Sequence, residues 1–214
     1  MRDDRSGMGD ETGGDWGDDA RVELRLGLPE ALRPEAARLY WMAFGGKLGG
    51  LLGPESRALR YLEFTLRSDH AIAAVNPDGT RLYGVAGFKT PEGSFAGGTL
   101  ADMQGAYGVM GAAWRSWTLS RLSRDVDNLR FLVDGICVAP EARSQGIGSA
   151  LIEALCQEGH RRGYGEIRLE VVDTNWRARR LYERRGFSVL KTEGIGLLRL
   201  VFGFAAATTM VRPL

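Results

Sequence analysis

The stretch VAPEARSQGIGSALIEAL, Val138 to Leu155, decides how this chain is read. Gly146 and Gly148 stand one residue apart, with Arg143, Ser144 and Gln145 before them and Ile147 and Ser149 interleaved. Ile147, Leu151, Ile152 and Leu155 then recur at helical spacing. Immediately upstream, the apolar run LRFLVDGICV (129–138) reads as a strand buried on both faces. The unit is therefore strand, glycine-rich turn, helix. The first turn of any helix leaves four backbone N–H groups without partners, and the helix dipole adds positive charge there. Such an end holds phosphate, glycine lets the ligand approach the backbone, and Arg143 can add a full charge.

Two common phosphate motifs are excluded by particular residues. A P-loop needs Gly-Lys-Ser/Thr, and here Ser149 and Ala150 follow Gly148. A dinucleotide fingerprint needs a third glycine at position 151, which is Leu151. A bare G-x-G also serves merely to shape a tight turn.

Working outward, the helix predicted over 146–162 stops at Gly163, and EIRLEVV (166–172) alternates as a strand. TNWRARRLYERRGF (174–187) reads as a helix closed by Gly186, and SVLKTE and FAAATTMV supply two last strands. Toward the N-terminus, VELRLGL (22–28) alternates as a strand. Residues 29–44 form a helix with Ala37, Tyr40, Trp41 and Phe44 on one face, and 53–68 form a second with Leu59, Leu62 and Leu66. HAIAAV, a turn at NPDG and RLYGVAGF make a hairpin. The pattern predicts an α/β (α+β) domain with a mixed sheet.

Two motifs, in order, resemble the GCN5-related N-acetyltransferase (GNAT) superfamily. The first is R/Q-x-x-G-x-G/A, here Arg143 to Gly148, with its preceding strand. The second is Asn-x-x-Ala-x-x-Leu-Tyr-x-x-x-Gly-Phe, filled by Asn175, Ala178, Leu181, Tyr182, Gly186 and Phe187. The match covers roughly residues 129–192. It implies a mostly antiparallel sheet of about 6–7 strands, splayed between the strands at 129–138 and 166–172.

The resemblance also implies acetyl-CoA as donor, a primary amine on a small molecule or peptide as acceptor, and direct transfer in a ternary complex. The pyrophosphate is then expected on the backbone of Arg143, Ser144, Gln145, Gly146, Ile147, Gly148 and Ser149. The pantetheine arm is expected to lie along Ile136, Cys137 and Val138 like an added strand. Asn175, Ala178 and Tyr182 are expected on one helix face toward the cofactor, Tyr182 donating a proton to the departing thiolate. The candidate base is Asp134, a carboxylate inside an apolar strand two residues before Ile136. A buried hydrogen bond or an ion pair would account for Asp134 equally well. Asp102 and Glu63 are weaker candidates, while His70 and His160 read as surface or packing residues. The alternative function is a GNAT-like domain that senses CoA or binds a partner without turnover.

The totals bound the rest. A chain of 214 residues, 44% hydrophobic, suits one domain, here expected over 21–214. Residues 1–20 carry seven acids and two arginines, a net of −5, which leaves +6 on the remainder of a chain whose total is +1. That acidic segment, poor in large apolar groups, is expected to be disordered. The arginines at 177, 179, 180, 184 and 185 read as a solvated helix face, and no nucleic-acid partner is expected. The two cysteines, Cys137 and Cys156, fit buried free thiols, and no metal motif is present. With no apolar run to span a membrane and no secretory signal, the expectation is a cytoplasmic protein. Residues 90–128 match no motif. Tyr107, Met110, Trp114 and Trp117 within them suit an acceptor pocket, the core, or a homodimer face.

Overall fold

The computed structural model describes residues 21–98, 101–108, 130–196, 199 and 203–214. Eight strands are β1 (Glu23–Leu26), β2 (Ala71–Val75), β3 (Leu82–Thr90), β4 (Gly93–Ser94), β5 (Phe131–Val138), β6 (Glu166–Val172), β7 (Ser188–Gly194) and β8 (Ala206–Pro213). They form one sheet in the order β1-β2-β3-β5-β6-β8-β7, with β4 paired to β3. Every pairing is antiparallel except β5 with β6. The helices are α1 (Arg33–Leu52), α2 (Glu55–Thr65), α3 (101–108), α4 (Ile147–Arg161) and α5 (Trp176–Arg184).

Three glycines show how the layers stack. A Cβ on Gly135 of β5 would come within 2.9 Å of the Phe44 ring and 3.4 Å of Tyr40, both on α1. A Cβ on Gly87, which stands opposite Gly135 in the ladder, would meet Phe95 at 2.4 Å. On Gly84 it would instead meet Leu151 and Ile147 of α4. Residues three apart on a strand face opposite ways. Hence α1 and the turn around Phe95 cover one face, and α4 covers the other. The main core fills both interfaces, with Phe88, Phe131, Leu151, Leu155, Ile167 and Met210 fully buried. A smaller cluster of Leu52, Ala58, Tyr61, Met103 and Tyr107 joins α1, α2 and α3, and Trp41 packs against both clusters.

The parallel pair is the unusual element. β5 and β6 are in register only at Phe131 with Ile167 and Leu132 with Arg168. Beyond Leu132 they part, whereas β6 and β8 stay paired over seven positions. The separation also corrects the reading of 129–138 as doubly buried: between Leu132 and Ile136 the strand is half-buried, because one of its flanks faces an opening. Residue Asp134 is the extra residue of a bulge, since Gly87 pairs with Gly135 and Phe88 with Val133.

Candidate functional site

Where β5 and β6 separate, a cleft of about 90 Å³ opens. Its walls include Asp134 and Ile136 of β5, Glu170 and Val172 of β6, Phe44 of α1, and Asn175 and Tyr182 at α5. Four of the residues singled out from sequence, Asp134, Ile136, Asn175 and Tyr182, are thus brought together. Cys137 is buried beneath them; burial, Asp134 and Tyr182 all surround its thiol, and it is pushed up to about 12, chiefly by desolvation. A thiol held that high is inert as a nucleophile at neutral pH. Cys156 is likewise a buried free thiol.

The bulge aims Asp134 at the loop after β4, where its Oδ2 accepts the backbone N–H of Ala96 at 2.8 Å. Desolvation raises its carboxyl above the usual value, and the Ala96 N–H, Lys89 and His70 pull it partly back. Tyr40 lies against the same spot, its phenol raised by burial and by Asp134 and Cys137. A carboxyl whose folded pKa lies above its unfolded one stabilises the fold below the unfolded value and loses that contribution as pH rises through the folded value. Asp134→Asn keeps an acceptor for Ala96 and removes the desolvated charge. Urea unfolding at pH 8 is expected to show this variant at least as stable as wild type, with the difference shrinking toward pH 4. A loss of more than about 1 kcal/mol at pH 8, the scale of a broken hydrogen bond, would overturn that account.

Tyr182 projects from α5 over the cleft with its ring 5.9 Å from that of Phe187. Burial, and secondarily Cys137, push its phenol up to about 12. Asn175 is not inside the helix with Tyr182, as the spacing suggested. It is the N-cap of α5, and its Oδ1 accepts the N–H of Ala178 at 3.3 Å. Ala178 and Leu181 pack half-buried against the core. The α5 arginines stand exposed; Arg177 and Arg180 stack near Trp176, and Arg179 pairs with Glu183 at 3.0 Å.

The turn from Ala139 to Gly146 runs from the end of β5 into α4. Gly146 caps the helix at φ 82°, and Ser144 takes φ 65°, a left-handed conformation that side chains other than glycine adopt at a cost. Backbone N–H groups of a turn at a helix start can form an anion-binding concavity. A Cβ on Gly146 would meet nothing within 4 Å, so that side is open. Arg143 folds back over the turn, its Nε donating to the Val138 carbonyl at 3.3 Å, and Gln145 Nε2 donates to the Glu141 carbonyl at 3.0 Å. A Cβ on Gly148 would lie 3.5 Å from Leu181 and 3.8 Å from Val138, which seats α5 beside the start of α4. The turn thus touches β5 at Val138, two residues beyond the cleft wall at Ile136.

Sequence reading missed Glu170. Alternation in EIRLEVV makes it a solvent-side residue, and only the parting of β5 and β6 turns that position into a cleft wall; Arg168 Nη2 donates to it at 3.0 Å. Neither Asp102 nor Glu63 lines the cleft. Glu63 and His160 are exposed, and His70 is buried with Nε2 3.0 Å from Thr90 Oγ1. Of the segment 90–128, the described part supplies Ala96 beside Asp134; Met110, Trp114 and Trp117 lie outside the described residues. Among the described residues no cluster of metal-ligating side chains occurs, and no helix is long and apolar enough to cross a membrane.

Comparison with known proteins bears on the fold and the family. An acetyltransferase superposes with TM-score 0.59 at 18% identity, over 89% of this chain and 98% of its own. A GCN5-related N-acetyltransferase from Kribbella flavida gives 0.56 at 18%, over 90% and 98%. The ribosomal-protein-S18-alanine N-acetyltransferase of Escherichia coli gives 0.53 at 17%, over 90% and 94%. At such identities these likenesses speak for the fold alone. Comparison with curated protein sequences finds no match. The sequence model of the acetyltransferase (GNAT) family, however, matches residues 37–187, from α1 through the cleft to the end of the second motif. On that match, with a sheet whose β5 parts from β6 and runs on into a glycine-capped helix start, the chain belongs to the GNAT acetyltransferase family.

Proposed function

We propose that this protein is an acetyl-CoA-dependent N-acetyltransferase acting on a primary amine. The observation that carries the reading is the seam: β5 and β6 part after two residue pairs, and β5 runs on through a turn into the glycine-capped start of α4. Beyond Leu132 the edge of β5 that faces β6 has no strand partner, while its other edge stays on β3, so that free edge can hydrogen-bond an extended pantetheine arm as a strand would. The open side of Gly146 and the first N–H groups of α4 suit a pyrophosphate, with Arg143 beside them.

When bound, acetyl-CoA supplies the activated acetyl thioester. The amine nitrogen bonds to the carbonyl carbon, the carbon–sulfur bond breaks, and the amine's proton leaves to Asp134 or to water. The Val138 backbone N–H is the candidate to hold the carbonyl oxygen, since the ladder register turns that of Cys137 toward β3. Tyr182 stands over the same cleft. Its phenol near 12 is a weaker acid than an aliphatic thiol at about 8.5, so complete transfer to sulfur runs uphill. The hydroxyl therefore acts as a hydrogen-bond donor to the departing sulfur, and solvent completes the protonation. Asp134 and Glu170 place two carboxylates at the cleft, which suits a cationic amine.

The acceptor is a small molecule or a peptide amine. The E. coli protein is named for a ribosomal-protein alanine, and the likeness to it, at 17% identity, is one of fold. The test is acetyl-CoA consumption by the full chain with a panel of primary amines and free-N-terminus peptides. Turnover with one of them is the expected result. Saturable acetyl-CoA binding without turnover across the panel favours the alternative, a domain that senses CoA or binds a partner. Absence of acetyl-CoA binding overturns the acetyltransferase and the CoA-sensing readings alike.

A further inference from the structure

A second concavity, of about 500 Å³, lies between α2 and α3 and shares no lining residue with the cleft. Its size falls among those of small-ligand sites. Arg57, Arg60, Tyr61 and Phe64 fall at i, i+3, i+4 and i+7, so one stripe of α2 forms a wall. The facing wall is built by small residues of α3, Ala101, Gly105 and Ala106, and by Asp102. Small side chains there leave the volume open.

The lining is chemically divided. Phe64 is 75% exposed, the most exposed of the large apolar side chains described, and Tyr61 is buried at the floor. Burial and the neighbouring Asp102 push the Tyr61 phenol up to about 12, so it stays a neutral hydroxyl. Arg57 and Arg60 have no carboxylate within ion-pair distance among the described residues, although arginines elsewhere pair readily, as Arg179 does with Glu183. The Arg57 guanidinium sits 5.9 Å from the Tyr107 ring centroid, which keeps it at the rim.

We propose that this groove binds a small organic monoanion, a carboxylate joined to an aromatic or branched apolar body. The guanidiniums of Arg57 and Arg60 take the carboxylate through charge-assisted bonds. Phe64 and Tyr61 cover the apolar body, removing an exposed ring from water. Asp102 on the opposite wall selects against a second negative charge. The site stands apart from acetyl transfer and does not depend on that reading.

The test uses the full chain and two probes that differ in charge alone, 3-phenylpropionate and its neutral amide. Titration followed by protein NMR or calorimetry is expected to show saturable binding of the acid, and the amide at least about tenfold weaker, the scale of one charge-assisted bond. Arg57→Gln with Arg60→Gln is expected to reduce binding of the acid by a similar factor and leave binding of the amide unchanged. Phe64→Ala is expected to weaken both probes. Equal affinity for acid and amide in the wild-type chain, or no saturable binding of the acid, overturns the proposal even if the double variant fails to fold. A double variant that folds and binds the acid as wild type does so as well.

Discussion

Gly148→Glu is expected to weaken acetyl-CoA binding at least about a hundredfold, the combined loss of two charge-assisted contacts. The new side chain leaves the backbone toward Leu181 and Val138, at 3.5 and 3.8 Å for its Cβ, and carries its carboxylate beside the start of α4. There it competes for the N–H groups of α4 and repels a pyrophosphate. A negative charge in the first helical turn favours the helix itself, so the fold is expected to survive. Gly148→Ala is the control. Its methyl makes only ordinary contacts, and affinity close to wild type is expected. Calorimetry on both variants, with circular dichroism to confirm folding, decides the matter. Unchanged affinity in the glutamate variant would remove the turn from the binding site.

The second large effect concerns rate. Tyr182→Phe is expected to lower kcat by roughly 10²–10³, the cost of losing one donor aimed at developing charge, with acetyl-CoA affinity unchanged. The ring and its packing on Phe187 remain. Because burial pushes the phenol up to about 12, it is fully protonated through the neutral range, and the wild-type rate is expected to show no fall from its ionisation until pH approaches that value. Equal rates for Phe and Tyr with a working acceptor would assign the hydroxyl a packing role.

Much of the fold can be read in the sequence because local pattern and tertiary environment agree there. The strand at 166–172, the helix now seen at Ile147–Arg161 and the final strands follow alternation, helical spacing and glycine stops. The helix α1 runs further than its pattern suggested, to Leu52 rather than position 44. Gly45, Gly46, Gly49 and Gly50 argue against a helix locally, at about 1 kcal/mol each. Docking on α2 and burial of Leu52 outweigh that. The site was legible where a motif fixes backbone, as at Gly146, and less so where neighbours are brought in by tertiary structure. The Asp134 bulge depends on how β5 registers with β3, and Glu170 becomes a cleft residue only because β6 parts from β5. Asn175 looked like a helix-face residue because sequence spacing does not show where α5 begins.

A sheet normally ends at two outer strands, but this one also carries two borders in its interior, the facing sides of β5 and β6 beyond Leu132. Main-chain donors and acceptors along such borders are a template for any extended chain. The opening is short, and Phe44 and Tyr182 stand at its sides, so a slender arm can enter where a bulky side-chain-bearing strand meets obstruction. The two interior borders are thus open to a narrow extended group and less so to a second strand.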